Sequence, residues 1–189
     1  MKAGIGKIQN LKKGKIKKMN MEYETVIGLE VHCQLKTNTK VWCSCDADYD
    51  NKEPNTAVCP ICTGQPGALP KLNEKVLDYA IKAALALGCE INRESYFDRK
   101  NYFYPDSPKN YQITQFFKPY AENGVLKITT NSGKEASVGI ERIQIEEDTA
   151  KSIHTASETL LNYNRASVPL IEIISKPEIK NAEEAYAYL

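Results

Sequence analysis

Hydrophobic and polar residues alternate cleanly over residues 25–35. Ile27, Leu29, Val31, Cys33 and Leu35 fall on one side of an extended chain, and Gly28, Glu30, His32 and Gln34 on the other. A period of two predicts a strand with one apolar and one polar face. The period then lengthens. After Asn73, a good N-cap residue, Val76, Leu77, Ala80, Ile81, Ala84 and Leu85 recur at helical spacing as far as Gly88, which suits a C-cap. Residues 125–130 and 135–146 read as a hairpin around Asn131-Ser132-Gly133. A helix is expected over residues 148–161, a buried strand over 168–174, and a last helix capped by Asn181. The sequence stops inside that helix, so the natural chain is expected to continue. Residues 41–70 read as loop, and 95–117 as loop with short strands. Strands and helices are interspersed with at least one antiparallel hairpin. The expected fold is therefore α+β, a largely antiparallel sheet with flanking helices.

Composition adds little until charge is divided along the chain. The net charge of +1 hides a basic leader: residues 1–21 hold seven lysines and no acid. The remainder carries 18 basic against 24 acidic residues. The leader is expected to be a flexible, solvated extension, with weak contact to RNA phosphates as the functional alternative. No run of about 18 apolar residues occurs, so no membrane span is expected. No apolar segment follows the basic start, so no secretory signal is expected either. A cytoplasmic, reducing setting follows, and six cysteines then read as metal ligands or buried thiols.

Four of the cysteines form two close pairs, Cys43-Ser44-Cys45 and Cys59-Pro60-Ile61-Cys62, with 13 residues between the pairs. Two such knuckles can close four thiolates around a structural Zn²⁺, which would organise a loop with little core of its own. Unbound thiols and a redox pair are the competing readings, although Pro60-Ile61 lies in loop-like sequence rather than at a strand–helix junction. Cys33 and Cys89 sit among apolar residues and are expected to be small core side chains.

A second set of candidate ligands lies on the first strand. Glu30 and His32 are two residues apart, so both project from one face, about 6–7 Å apart at Cα. A carboxylate from Glu146-Glu147-Asp148 could complete a cation site with them. Oxygen-rich ligation suits Mg²⁺, and a histidine makes Mn²⁺ a competitor. Alternation puts Arg142, Gln144 and Glu146 on one face and Ile143, Ile145 and Glu147 on the other. A regular strand would send Glu146 into the polar cleft; a bulge there would send Glu147. Glu172, inside an apolar strand, needs a partner if buried: Arg165 structurally, or a site. No phosphate-binding loop of the GxxxxGK[ST] kind, no GxGxxG and no GxSxG occurs, so any ATP is bound without a P-loop.

Residues 23–32 (YETVIGLEVH), 97–106 (FDRKNYFYPD), 109–113 (KNYQI), 146–148 (EED), 164–165 (NR) and 169–173 (PLIEI) together carry a resemblance. They are similar, in one order, to the B subunit of the tRNA-dependent amidotransferases that make Gln-tRNA(Gln) or Asn-tRNA(Asn) from misacylated tRNA. That resemblance implies a core like glutamine synthetase and the guanido kinases. Residues 22–189 would be the N-terminal part of the catalytic (cradle) domain, with zinc held by the loop over 41–70. It implies ATP-dependent phosphorylation of the side-chain carboxylate of Glu-tRNA(Gln) or Asp-tRNA(Asn). Amidation would follow, with ammonia from the glutaminase (A) subunit, in a heterotrimer that the small (C) subunit makes up. By position, Glu30, His32 and Glu147 match the family's metal ligands, with Glu146 as the alternative that alternation favours. Arg99, Lys100, Tyr104, Lys109 and Glu172, in the matching stretches, are expected to bind substrate. One departure is visible: Ser167 stands where a glycine is expected. The aromatic stretch over 97–105 would either stack on the tRNA 3′ end or form a core wall. Two other identities stay open: the related subunit of the archaeal Glu-tRNA(Gln) amidotransferase, and a non-catalytic, zinc-stabilised RNA-binding module.

Overall fold

The computed structural model describes residues 23–189. The expectations for the basic leader lie outside the described residues. Nine strands, two α-helices and one 3₁₀ turn follow in the order β1 (Glu30–Gln34), α1 (Glu74–Ala86), β2 (Glu90–Ile91), β3 (Asp98–Asn101), β4 (Tyr111–Thr114), β5 (Ala121–Thr129), β6 (Glu135–Glu147), β7 (Lys151–His154), β8 (Thr159–Asn162), the 3₁₀ turn Tyr163–Arg165, β9 (Pro169–Ser175) and α2 (Ala182–Tyr188). Five strands form one sheet in the order β1-β9-β6-β5-β2. Every pairing in it is antiparallel. The α+β expectation therefore holds.

The sheet has one apolar and one polar face. Ile143, Ile145 and Ile171 meet Val76, Ala80 and Ala84 of α1, together with Trp42 and Tyr120, in a single core. A second cluster joins Ile128, Val138, Ile179 and Tyr188 where α2 covers β5. The helix ends lie where their capping residues predict. Asn73 accepts from the Lys75 N–H, and Gly88 takes φ +67° just past the end of α1. Asn181 accepts from the Glu184 N–H at the start of α2. Gly133, at φ +82°, turns the β5–β6 hairpin.

Two expectations fail. Residues 148–161 are not a helix. They form the β7–β8 hairpin, in which Lys151 pairs with Asn162 and His154 with Thr159. The stretch carries Thr149, Ile153, Thr155 and Thr159 and lacks a helical apolar stripe, and β-branched side chains favour the extended chain. The Thr155 hydroxyl accepts from the Ser157 and Glu158 N–H groups and donates to the Glu158 carbonyl, closing a turn in mid-segment. Cys33 is the other failure, being exposed rather than in the core. Its strand pairs only with β9 and so lies at the sheet edge, where the apolar face is incompletely covered. Cys89 is buried as expected.

The parity of β6 decides what faces where. A bulge lies between Ile140 and Arg142, and the pairing is regular from Arg142 to Glu147. Glu146 and Glu147 consequently point to opposite faces of the sheet.

A candidate cation site and a four-cysteine cluster

Strand register assembles the polar face. His32 on β1 pairs with Glu172 on β9, which pairs with Gln144 on β6. A single row thus crosses three strands, and Glu146 follows two residues along β6. His32 Nε2 lies 3.4 Å from Glu172 Oε1. His32, Glu146 and Glu172 each bring one ligand atom to within 4.8 Å of the others. That compactness suits three ligands of one octahedral cation, and a nitrogen with two carboxylates fits Mg²⁺ or Mn²⁺.

Neutral donors orient the carboxylates. Gln144 Nε2 donates to Glu172 Oε2 at 2.5 Å and to Glu146 Oε2 at 3.3 Å. Thr114 Oγ1 donates to the same Glu146 oxygen at 2.8 Å. The other oxygens are left towards the cleft, Glu172 Oε1 to His32 and Glu146 Oε1 to Lys100 Nζ at 3.2 Å. Burial, and then the neighbouring Glu146 charge, raise the Glu172 carboxyl above its ordinary range. For Lys100, burial works against the charge, but the carboxylates of Glu146, Glu172 and Glu30 outweigh it and hold its ammonium above the usual lysine value. Two buried carboxylates side by side repel unless a cation stands between them, which is what a metal site supplies.

Above this cluster lies a cleft of about 430 Å³, lined by Glu30, Arg99, Lys100, Thr114, Phe116, Phe117, Arg142, Gln144 and Glu172, among others. Glu30 and His32 do share a face, but Glu30 lines the cleft outside the three-residue cluster. Arg142 stacks over the Phe116 ring at 5.0 Å, and Arg99 over Tyr111 at 4.6 Å. Phe117, Phe103 and Tyr104 are largely exposed. Tyr104 does not line the cleft; its ring sits 6.0 Å from that of Tyr102. Nothing in the sequence singles out Gln144, Thr114, Phe116 or Phe117 as site residues. Gln144 alone leaves a trace there, as a polar residue between Arg142 and Glu146 on one face.

The remaining acidic candidates lie elsewhere. Glu147 turns to the opposite face, where Lys109 Nζ contacts its Oε2 at 2.5 Å and the Ile113 N–H donates to its Oε1 at 2.8 Å. Both side chains of this ion pair are buried. Glu172 does not use Arg165, which binds Asp148 at 3.4 Å and the Thr149 and Ala150 carbonyls instead. Ser167 has φ +67°, the left-handed region that makes glycine the expected residue there. Its hydroxyl donates to Glu147 and accepts from Lys109, contacts a glycine would lack.

The four loop cysteines converge as the second cluster. Their sulfurs all lie within 4.8 Å of one another, and Cys59 and Cys62 are 3.8 Å apart. Four sulfurs held about 2.3 Å from a central Zn²⁺ would be about 3.8 Å from each other in a regular tetrahedron. The residues therefore fit a closed, four-thiolate metal site. The Cys43 thiol beside it holds Cys62 down to about 4, while Cys62 and burial push Cys43 up. The loop is tied to the sheet by Val41 N–H to Ser167 O and Leu35 N–H to Pro169 O. Buried Asn164 clasps it, accepting from Ala57 N–H and donating to Glu53 O.

Among the described residues no helix is long and apolar enough to cross a membrane. A Fusobacterium nucleatum protein, named as the B subunit of aspartyl/glutamyl-tRNA(Asn/Gln) amidotransferase, is 68% identical over 171 residues, covering 90% of this chain and 36% of that protein. Proteins of the same name from Clostridium tetani and Clostridium botulinum are 59% and 57% identical over 169 residues, each covering 89% of this chain and 35% of its relative. The chain thus spans about a third of the length of these curated relatives. The family model described as the GatB/GatE catalytic domain matches residues 25–189, and the chain belongs to that family.

Proposed function

We propose that this chain is the N-terminal catalytic part of the amidotransferase subunit that works on Glu-tRNA(Gln), Asp-tRNA(Asn) or both, as the names of its relatives indicate. The observation that carries the reading is the His32, Glu146 and Glu172 cluster beneath a basic and aromatic cleft. A carboxylate resists ammonia because its oxygen is a poor leaving group. Transfer of the ATP γ-phosphoryl to that oxygen gives an acyl phosphate and ADP. Ammonia then attacks the acyl carbon, phosphate leaves, and a proton is released with the amide.

His32, Glu146 and Glu172 would hold Mg²⁺ or Mn²⁺, with Glu30 at the rim of the cleft. Such a cation screens the charges of ATP and carboxylate and polarises the transferring phosphoryl group. Gln144 and Thr114 keep both carboxylates aimed at the cleft. Lys100, Arg99 and Arg142 line it with positive charge suited to phosphate oxygens. Phe116 and Phe117 offer ring faces on which a base can stack. Ammonia would come from the glutaminase (A) subunit, and the small (C) subunit would complete a heterotrimer in the cytoplasm. The sheet with its ligands on one face fits the glutamine synthetase and guanido kinase type of core. The loop over 41–70 would be a structural zinc knuckle within the cradle domain.

The test uses the full-length chain with its partner subunits, misacylated tRNA, labelled ATP and ammonia. We expect His32→Ala, Glu146→Ala and Glu172→Ala each to lose on the order of 10²-fold or more in amide formation, since each removes fixed charge from phosphoryl transfer. Full amide formation by all three would overturn the cation-site assignment. tRNA binding without any ATP-dependent phosphoryl transfer would favour the non-catalytic RNA-binding reading.

A further inference from the structure

Lys40 is completely buried, with 0% of its surface exposed. A buried ammonium needs hydrogen-bond acceptors and a counter-charge, or its desolvation goes uncompensated. Its Nζ donates to the Ala57 carbonyl at 2.8 Å and to Cys62 Sγ at 3.7 Å. No carboxylate among the described residues comes within ion-pairing distance of it. The countercharge its geometry offers among those residues is therefore sulfur. Lys40 also spans both cysteine pairs, because its backbone N–H donates to the Cys45 carbonyl at 2.9 Å. Cys62 in turn receives the Cys59 N–H at 3.1 Å and is the most enclosed of the four cysteines, at 0% exposure.

Four thiolates around Zn²⁺ sum to a charge of about −2, which a buried site must offset. We propose that Lys40 is the built-in counter-ion of the four-cysteine centre. Its ammonium neutralises part of the charge on the metal-bound Cys62 sulfur, slows loss of the metal and shields that sulfur from electrophiles. The proposal rests on the zinc reading of the cluster. It makes Lys40 a positioning and charge-balancing residue, not a ligand. Donors that hydrogen-bond to a metal's ligands stabilise those ligands generally. The ammonium engages a sulfur lone pair that an alkylating reagent or oxidant would otherwise attack.

The experiment takes the full-length zinc-loaded protein, with Lys40→Gln, Lys40→Met and Lys40→Arg. Gln keeps a donor for Ala57 without the charge, Met removes both, and Arg keeps the charge. Three readouts are followed: zinc transfer to a chromogenic chelator, alkylation of Cys62 by iodoacetamide mapped by mass spectrometry, and the sulfur-to-metal charge-transfer band after Co²⁺ substitution. We expect about tenfold faster zinc transfer and Cys62 alkylation in Lys40→Gln and Lys40→Met, with the band shifted to lower energy. Lys40→Arg should stay near wild type. Wild-type rates and band position in Lys40→Gln, with one zinc per chain, would overturn the counter-ion role alone. A wild-type protein that holds no zinc would overturn the zinc reading and the proposal together. If neither neutral variant folds, Lys40→Arg decides: zinc transfer tenfold faster than wild type would overturn the role, and an unchanged rate supports it.

Discussion

Glu146 and Glu147 are adjacent and chemically identical, yet they serve opposite faces of one sheet. Side-chain alternation along β6 is legible in the sequence, and it puts Glu146 on the polar face, where the structure has it beside His32 and Glu172. It works because the bulge falls between Ile140 and Arg142, upstream of both glutamates. The partners of Glu147 are not legible. Lys109 and Ser167 reach it from separate parts of the chain, and no local pattern announces a contact across 38 residues. This buried pair also gives a stability prediction. Lys109→Met should cost about 3–5 kcal/mol, because it strands the Glu147 carboxylate without a counter-charge. Adding Glu147→Gln, which keeps an acceptor for the Ile113 N–H, should restore much of the loss. Chemical denaturation of wild type, Lys109→Met and the double variant checks this. A double variant no more stable than Lys109→Met would contradict it.

Among the elements, the helices announce themselves through their ends and the β7–β8 hairpin does not. Asn73, Gly88 and Asn181 act locally, within four residues, so sequence shows them. In the hairpin, Thr155 does its work through a turn that competes with helix capping, and an acidic run ahead of it imitates a helix start. Local propensity is outvoted by cross-strand pairing. At the other end of the chain, α2 carries a pH dependence that follows from one residue. The Lys134 ammonium, followed by the Lys180 N–H, holds the Glu184 carboxyl below its ordinary range. A carboxyl depressed in the folded state contributes stability above its unfolded value, and the contribution is lost as pH falls through the lowered folded value. Acidification should therefore release α2 from β5 before the central sheet. Amide hydrogen exchange followed down through the glutamate range would show α2 losing protection first. Protection of α2 unchanged until the whole sheet opens would refute this.

Over the whole molecule, two chemically distinct clusters lie on either side of a short stretch of chain. β1 delivers His32 to the polar face, Leu35 just past its end enters the core, and the cysteine loop follows immediately. The spacing of the four cysteines makes one cluster visible in sequence, because knuckle ligands are close neighbours along the chain. The other draws His32, Glu146 and Glu172 from three strands, so only the sheet register brings them together. Between β1 and α1 the loop forms no helix or strand, only the Thr39–Asp46 bridge and turns such as Thr63 N–H to Cys59 O and Gln65 N–H to Pro60 O. On the zinc reading, the metal adds to these turns and to contacts such as Trp42 against Phe97, whose rings meet edge to face at 4.8 Å. Trp42 is the only tryptophan, sits next to Cys43 and is 4% exposed. Its fluorescence therefore reports on how the loop seats against the core. Removing the metal with a strong chelator should release the loop, expose Trp42 and shift its emission to longer wavelength. The far-ultraviolet signature of the sheet should stay largely in place, because Ile143, Ile145 and Ile171 also pack on Val76, Ala80 and Ala84 of α1, and the cysteine loop adds only Val41, Trp42 and Ile61 to that core. Cys59→Ser and Cys62→Ser should reproduce the shift without chelator, and added Zn²⁺ should reverse it only in the wild type. An emission maximum that ignores both chelator and substitutions would mean that the loop holds its shape through Asn164 and its backbone ties to the sheet, with the cysteines adding nothing to its stability.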